Sequence, residues 1–362
     1  MPTRDPTASS PRALVFGGTG PVGRAVAQGL LADGWRVDVT GRDPARMPPS
    51  LAAAGARFLA SDRTNDREVG DAVGPGADLV VDCLAYTGAH AAMLLPLLAD
   101  VGHTVMVSAK AVYVDALGNH VNSSVPPDFR VPVTEDQPTL PPGDMDYDSR
   151  EGYGPNKVAA ERTFLDSGHP VSVLRASKVR GPGAERPREW VFVRRALDRR
   201  PALFLRGLGL QREHCTSAVN LAGLVRFIAD RPAPRILNVA DPDRPSAVEL
   251  SRVVASHLGH VWDEVLLPEG TGGGLGRHPW EAALAMELDT SAARKLGYRP
   301  VAGCASTLPG DIDWMVARAS AAGTAAAFDA DYFRPYFDYA AEDAYLGGAH
   351  GPGRVARGHP AP

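Results

Sequence analysis

Long apolar runs are missing from this 362-residue chain, and none reaches the length needed to span a bilayer. The polar, Pro-rich segment Met1–Pro11 has no apolar core of the signal-peptide kind. Cysteine is scarce: Cys83, Cys215 and Cys304 lie far apart, with no Cys-x-x-Cys pair. That spacing argues against a structural zinc site or a disulfide scaffold; no metal is expected, and a reducing cytoplasm is the expected setting. Positive charge is not in excess either. The net charge is −4 and the pI about 6.2, and there is no basic–aromatic stripe, so neither nucleic acid nor a membrane is expected as a partner. What remains is a soluble chain, rich in Ala, Gly, Pro and Arg, with room for a large core in one α/β domain or two lobes.

From Arg12 onward, short β-type runs alternate with helical patterns. Ala13–Phe16, Trp35–Val39, Arg57–Leu59, Asp78–Val81, Thr104–Val107 and Val171–Leu174 read as strands. Helices are expected over Pro21–Asp33, Ala91–Ala99 and a segment containing Tyr153. Such alternation predicts an α/β fold, a doubly wound parallel sheet of Rossmann type with helices on both faces, carrying a smaller C-terminal substrate lobe. The predicted boundaries are a disordered tail over 1–11, a nucleotide-binding domain over 12–180 to which 219–240 return, a lobe over 181–218 and 241–335, and a disordered tail over 340–362. In the lobe, helices are expected at Ala247–His257 and Thr290–Leu296.

The loop Gly17-Gly18-Thr19-Gly20-Pro21-Val22-Gly23 follows a strand and opens a helix. Glycines at 17, 20 and 23 allow a tight turn and close approach of a pyrophosphate, which a helix N-terminus stabilises. Gly17, Thr19, Gly20, Pro21, Val22 and Gly23 are therefore candidate cofactor-binding residues. At the end of the second strand, where NAD sites carry a carboxylate, stands Gly41 followed by Arg42. A guanidinium there suits a 2′-phosphate, so NADP is the expected cofactor, with NAD as the alternative. Asp62 either accepts from the adenine amino group or forms a turn.

Tyr153 and Lys157 stand one helical turn apart at the start of an apolar-periodic helix. A phenol beside an ammonium is a proton-transfer device, because the positive charge favours phenolate and draws the tyrosine toward working pH.

These motifs, with Leu174-Arg175 followed by Gly181-Pro182-Gly183, resemble the extended branch of the short-chain dehydrogenase/reductase superfamily, the NAD-dependent epimerases and dehydratases, over Arg12 to Trp314. Asp62-Arg63, Leu288-Asp289-Thr290-Ser291 and Leu296-Gly297-Tyr298 look most like an atypical subgroup that includes relatives of the chloroplast stem-loop-binding proteins. The resemblance implies a nicotinamide cofactor, a small-molecule substrate such as a nucleotide sugar or a natural-product intermediate, Tyr153 as acid/base, and Lys157 holding the nicotinamide ribose. It also implies a substrate-polarising hydroxyl at position 109, where this chain has Ala109. Ser108 is the neighbouring hydroxyl, on the opposite strand face unless a bulge rotates it inward. Tyr86, Thr87, His90 and Lys110 are substitute donors or loop-packing residues, and Arg212 is either a phosphate or carboxylate contact or a surface ion pair. Trp190 and Trp280 belong to the core or line the lobe. The resemblance further implies a homodimer through the helices of Ala91–Ala99 and Gly154–Asp166, the first interrupted by Pro96. The alternative to an enzyme is a non-catalytic nucleotide-binding sensor or scaffold, for which Ala109 speaks.

Overall fold

The computed structural model describes residues 10–130, 132–281, 286–348 and 355–357. The elements run β1 (Arg12–Phe16), α1 (Pro21–Ala32), β2 (Arg36–Gly41), α2 (Pro49–Ala53), β3 (Arg57–Ala60), α3 (Asp66–Val73), β4 (Ala77–Asp82), α4 (Gly88–Leu94), β5 (Val101–Ala109), α5 (Arg150–Leu165) and β6 (Val171–Ala176). They continue with β7 (Lys178–Arg180), α6 (Trp190–Leu197), β8 (Ala202–Leu205), β9 (Cys215–Ser217), α7 (Ala218–Ile228), β10 (Arg235–Val239), α8 (Ala247–His257), β11 (Asp263–Leu266), α9 (Ser291–Lys295), α10 (Cys304–Ala322), α11 (Ala330–Phe333), α12 (Tyr339–Gly347) and β12 (Val355–Arg357). Two compact units result. The described parts of Met1–Val179, Thr216–Ala240 and Met286–Val301 form the first; those of Arg180–Cys215, Asp241–Ala285 and Ala302–Pro362 form the second.

The first unit is the α/β sheet that the alternation predicted. Seven parallel strands lie in the order β10-β6-β5-β4-β1-β2-β3. Buried on both faces, β1 shows only its first residue partly to solvent, as a parallel interior strand requires. The strand order reverses between β1 and β4, and ligands of such sheets sit beyond the strand C-termini at that point. Side chains pin the frame from below. Arg12 donates through Nη1 to Val73 O (2.5 Å) and through Nη2 to Ala72 O (2.8 Å), capping the end of α3, while its Nε reaches Asp38 Oδ2 at 2.8 Å. Arg57 holds the same carboxylate, and the two guanidiniums keep Asp38 below the usual carboxylate range against the opposing effect of burial.

Several expectations need correction here. Residues 286–301, assigned by sequence to the lobe, belong to the first unit. Asn238 Nδ2 donates to Val133 O and Asp289 O, and Tyr298 Oη donates to Asn220 O at 2.7 Å, so this segment is tied to β10 and α7. The helix expected over Ala91–Ala99 is α-helical only over Gly88–Leu94 and tightens to a 3-10 turn over Leu95–Asp100, where Pro96 cannot donate. Ser10 and Pro11, expected in a disordered tail, are held by Arg36, whose backbone N–H donates to Pro11 O and whose Nε donates to Ser10 O. The rest of that tail, residues 1–9, lies outside the described residues.

In the second unit, α6, α8 and α10 surround a core containing Trp190, Phe192 and Trp280, so both tryptophans are core residues. Here Arg180 is buried, donating to Asp311 (2.6 Å), Asp241 (3.1 Å) and Thr307 (2.5 Å). Residues 340–347, where sequence suggested disorder, belong to α12, which buries Glu342; that carboxylate accepts from Arg195 at 2.7 Å and from Arg200 at 3.3 Å. Residues 349–354 and 358–362 of the expected tail lie outside the described residues.

Candidate active site

The loop after β1 is shaped by backbone contacts that exclude side chains. Gly17 has φ +82°, a conformation that favours glycine. A Cβ at Gly23 would stand 2.3 Å from Gly17 O, and one at Gly18 would stand 2.3 Å from Val39 Cβ. Gly18 was not among the sequence candidates, although the Gly-Gly pair was its only available signal. At Gly20 the situation reverses: an added Cβ would meet nothing nearer than Gly17 O at 3.5 Å, so this face of the loop is open. The helix that follows begins at Pro21, has no side-chain cap, and carries no acidic residue in its first turn. Val22 and Gly23 therefore present uncapped amides at the positive end of a helix dipole beside an open concave face. These features fit the pyrophosphate of a dinucleotide. Thr19 accepts through its carbonyl from Arg24 Nε at 2.6 Å, which fixes the turn.

At the end of β2, Gly41 packs close to Phe58 and Thr19, with no carboxylate in place. Asp43 caps the next turn by accepting from Ala45 N–H at 2.9 Å. Arg42 is exposed and makes no hydrogen bond among the described residues. Asp62 takes the turn-forming role: its Oδ1 accepts from Thr64 N–H and Oγ1. Those two bonds hold its carboxyl below the usual range, with Arg42 contributing further.

Beyond β4, β5 and β6 lies a cavity of about 360 Å³ in the first unit. Tyr86, Ala109, Lys110, Asn122, Tyr153 and Lys157 all contribute to its wall. The helix carrying the Tyr–Lys pair is set there by local sequence. Ser149 caps α5 by accepting from Gly152 N–H at 2.9 Å. Gly154 permits close approach, since a Cβ there would lie 2.7 Å from Ala111 O and 2.5 Å from Leu140 Cδ1. Lys157 is buried, and its Nζ donates to Ala85 O and Val107 O, each at 3.0 Å. Burial draws this ammonium down to about 8, against the opposing pull of Asp82, Cys83 and Glu161.

Tyr153 behaves differently from the sequence expectation. Its hydroxyl makes no hydrogen bond among the described residues, and burial pushes it up to about 12. Desolvation of the phenolate outweighs the neighbouring lysine, whose ammonium is engaged by two carbonyls. Ser108 contributes to the cavity wall, but its hydroxyl donates to Glu161 Oε1 at 2.5 Å. Glu161 in turn pairs with Arg175 at 2.6 Å, so Ser108 and the Leu174-Arg175 motif form one buried network. Thr87 is a helix cap, accepting from His90 N–H at 3.1 Å. Lys110 is buried in the wall. Arg212, in the second unit, donates to Arg244 O and pairs with Glu249 at 2.8 Å, the surface ion pair of the two sequence alternatives. Sequence reasoning missed Asn122 and Tyr147; the latter stacks on Tyr86 with ring centroids 5.4 Å apart, and nothing in its sequence context signals that.

Among the described residues no cluster of His, Cys, Asp or Glu suits a metal ion, and no helix is long and apolar enough to cross a membrane. The sequence profile of the NAD dependent epimerase/dehydratase family matches residues 13–240. No curated protein matches the chain significantly. Solved structures share its fold. A dTDP-glucose 4,6-dehydratase from Bacillus anthracis, in complex with NAD, is 15% identical over 86% of this chain and 98% of that one, with a TM-score of 0.64. A UDP-glucose 4-epimerase from Thermotoga maritima, with UDP-glucose, is 16% identical over 84% and 99%, with a TM-score of 0.64. A UDP-N-acetylglucosamine 4-epimerase from Bacillus cereus is 17% identical over 85% and 97%, with a TM-score of 0.63.

Proposed function

The chain belongs to the NAD dependent epimerase/dehydratase family, a family of enzymes of the short-chain dehydrogenase/reductase type, and on that premise we propose that it is an NADP-preferring oxidoreductase or epimerase acting on a hydroxyl or carbonyl group of a small molecule. A nucleotide sugar, as bound by the structural relatives, is the first substrate class to test. The observation that carries this reading is the cavity shared by Tyr153 and Lys157 at the strand ends beside the open glycine loop. A bound nicotinamide would take up or return a hydride at the substrate carbon. The chain's own groups do the rest. Gly17 to Gly23 receive the pyrophosphate on backbone amides. Lys157 brings a buried positive charge to the pocket floor, and Tyr153 Oη, without a hydrogen-bond partner among the described residues, holds the proton that the substrate oxygen gains or loses. Burial keeps the Tyr153 phenol protonated at neutral pH, so it is poised to give its proton to a substrate oxygen.

The preference for NADP is supported by the missing carboxylate after β2 and by Arg42, exposed and without a hydrogen-bond partner among the described residues. A sensor without turnover is the second reading, and its specific support is Ala109, together with the Ser108 hydroxyl committed to Glu161. Fluorescence titration of the full chain with NADPH and NADH, followed by nicotinamide absorbance on UDP-glucose, UDP-N-acetylglucosamine and small ketones, tests both. Saturable, tighter NADPH binding with turnover on a probe supports the enzyme reading. Binding without turnover favours the sensor, and absence of binding to either dinucleotide overturns the two together.

A further inference from the structure

A carbonyl oxygen that gains negative charge during reduction is best stabilised by more than one hydrogen-bond donor aimed at it. In this pocket Tyr153 is one donor, and the hydroxyls of Ser108 and of nearby Thr87 are spent elsewhere. Position 109 offers only a methyl group, the Ser108 hydroxyl is held by Glu161, and the Thr87 hydroxyl caps α4. His90 Nδ1 accepts from the Tyr86 backbone N–H at 3.3 Å. Tyr86 is the phenol left over.

Its ring is clamped in the cavity wall. Lys157 Nζ lies 4.5 Å from the ring centroid, Tyr147 stacks on the ring nearly parallel with an interplanar angle of 6°, and His90 meets it edge-on at 6.5 Å. Three neighbours therefore hold the aromatic body, while the Tyr86 hydroxyl makes no hydrogen bond among the described residues. We propose that Tyr86 is a second catalytic phenol, donating a hydrogen bond to the same substrate oxygen whose proton Tyr153 exchanges, in place of the hydroxyl that Ala109 does not supply. This rests on the reading of Tyr153 as the proton-exchanging group.

The two phenols divide the work by their surroundings. Burial, and then the neighbouring Tyr153, push Tyr86 up from its ordinary value. With its ring held by Lys157, Tyr147 and His90, Tyr86 serves as a fixed donor that keeps its proton, while Tyr153 exchanges one with the substrate. Tyr86 transfers nothing; it gives a hydrogen bond that strengthens as charge develops on the oxygen.

Tyr86→Phe isolates the hydroxyl, because the ring, its stack and its contact with Lys157 all persist. With NADPH and the UDP-sugar and ketone probes, the expected result is a fall in kcat of roughly 10²-fold with KM and NADPH affinity unchanged, the signature of a lost oxyanion donor rather than of a lost wall. Unchanged kcat overturns the proposal, as does a loss that follows Asn122→Ala and not Tyr86→Phe. A substrate-free readout runs beside it, in protein carrying difluorotyrosine, whose fluorine resonances report phenol ionisation at accessible pH. The resonance lost in Tyr86→Phe should titrate above the one lost in Tyr153→Phe, and should move to lower pH once Tyr153 is Phe. Uncoupled phenols overturn the pair whatever the turnover. Coupled phenols without wild-type turnover on any probe overturn the oxidoreductase reading, and the catalytic role of Tyr86 falls with it, whereas wild-type turnover with an unaffected Tyr86→Phe overturns the Tyr86 role alone.

Discussion

The glycine loop after β1 and the phenol cavity beside α5 occupy strand ends of the same sheet, yet they are built from different material. The loop is backbone: Gly18 and Gly23 have no room for a Cβ, Gly17 holds a φ of +82°, and ligand recognition falls to amides. The cavity is side chain: its hydroxyls, ammonium and aromatic rings come from β4, β5, α5 and their connections. A backbone site is specified by what a residue lacks, and few substitutions can preserve it. A side-chain site can lack one group and draw another from a neighbouring loop, the arrangement proposed above for Ala109 and Tyr86.

The sharpest way to probe the cavity half is its buried ammonium. Lys157 falls from its ordinary 10.5 to about 8, so between those values the folded protein binds fewer protons than the unfolded chain. Stability then rises with pH across that window. Relative to Lys157→Met, the wild type should gain up to roughly 3 kcal/mol as pH climbs from 8 to 10.5, read by denaturant unfolding at each pH. A flat difference would mean that the ammonium is solvated, not buried.

The loop half is tested by two alanines with opposite signatures. Gly23→Ala forces a Cβ to within 2.3 Å of Gly17 O, so it should cost about 1–3 kcal/mol of stability and weaken NADPH binding with it. Gly20→Ala meets only open space in the protein; its Tm should match the wild type while NADPH affinity drops, because the methyl occupies the phosphate face. Equal behaviour of the two variants would break the distinction between the packed and the open face of the loop. A smaller effect is expected at the end of β2, where Arg42→Ala should cut NADPH affinity about tenfold and leave NADH affinity within about twofold. Tighter NADH binding by the wild type would remove the role given to Arg42.

The same contrast explains what the sequence disclosed. The strand–loop–helix of Ala13 to Asp33 was legible because its requirements are local: an apolar run, glycines where side chains clash, and a proline at the helix start. Tyr153 and Lys157 were legible as a spacing, but their titration was not. Burial of Tyr153 and the capture of Lys157 by Ala85 O and Val107 O depend on β4 and β5, far away in sequence. For the same reason Ser108 remained ambiguous until Glu161 and Arg175 were seen to claim it. In the second unit, α10 was hidden behind Pro309-Gly310, which reads as a break, although Leu308, Ile312, Met315 and Ala319 keep a buried helical face through it. The return of 286–301 to the first unit follows from Asn220 and Asn238, whose partners no local pattern announces.

In the proposed reaction Tyr153 exchanges a proton with a substrate oxygen while a nicotinamide is held beside it. The direct measurement is nicotinamide turnover by wild type and Tyr153→Phe, each saturated with NADPH, on the same probes. The expected result is equal cofactor binding with turnover lowered roughly 10²–10⁴-fold in the variant. Equal binding with equal turnover in the two proteins would contradict it.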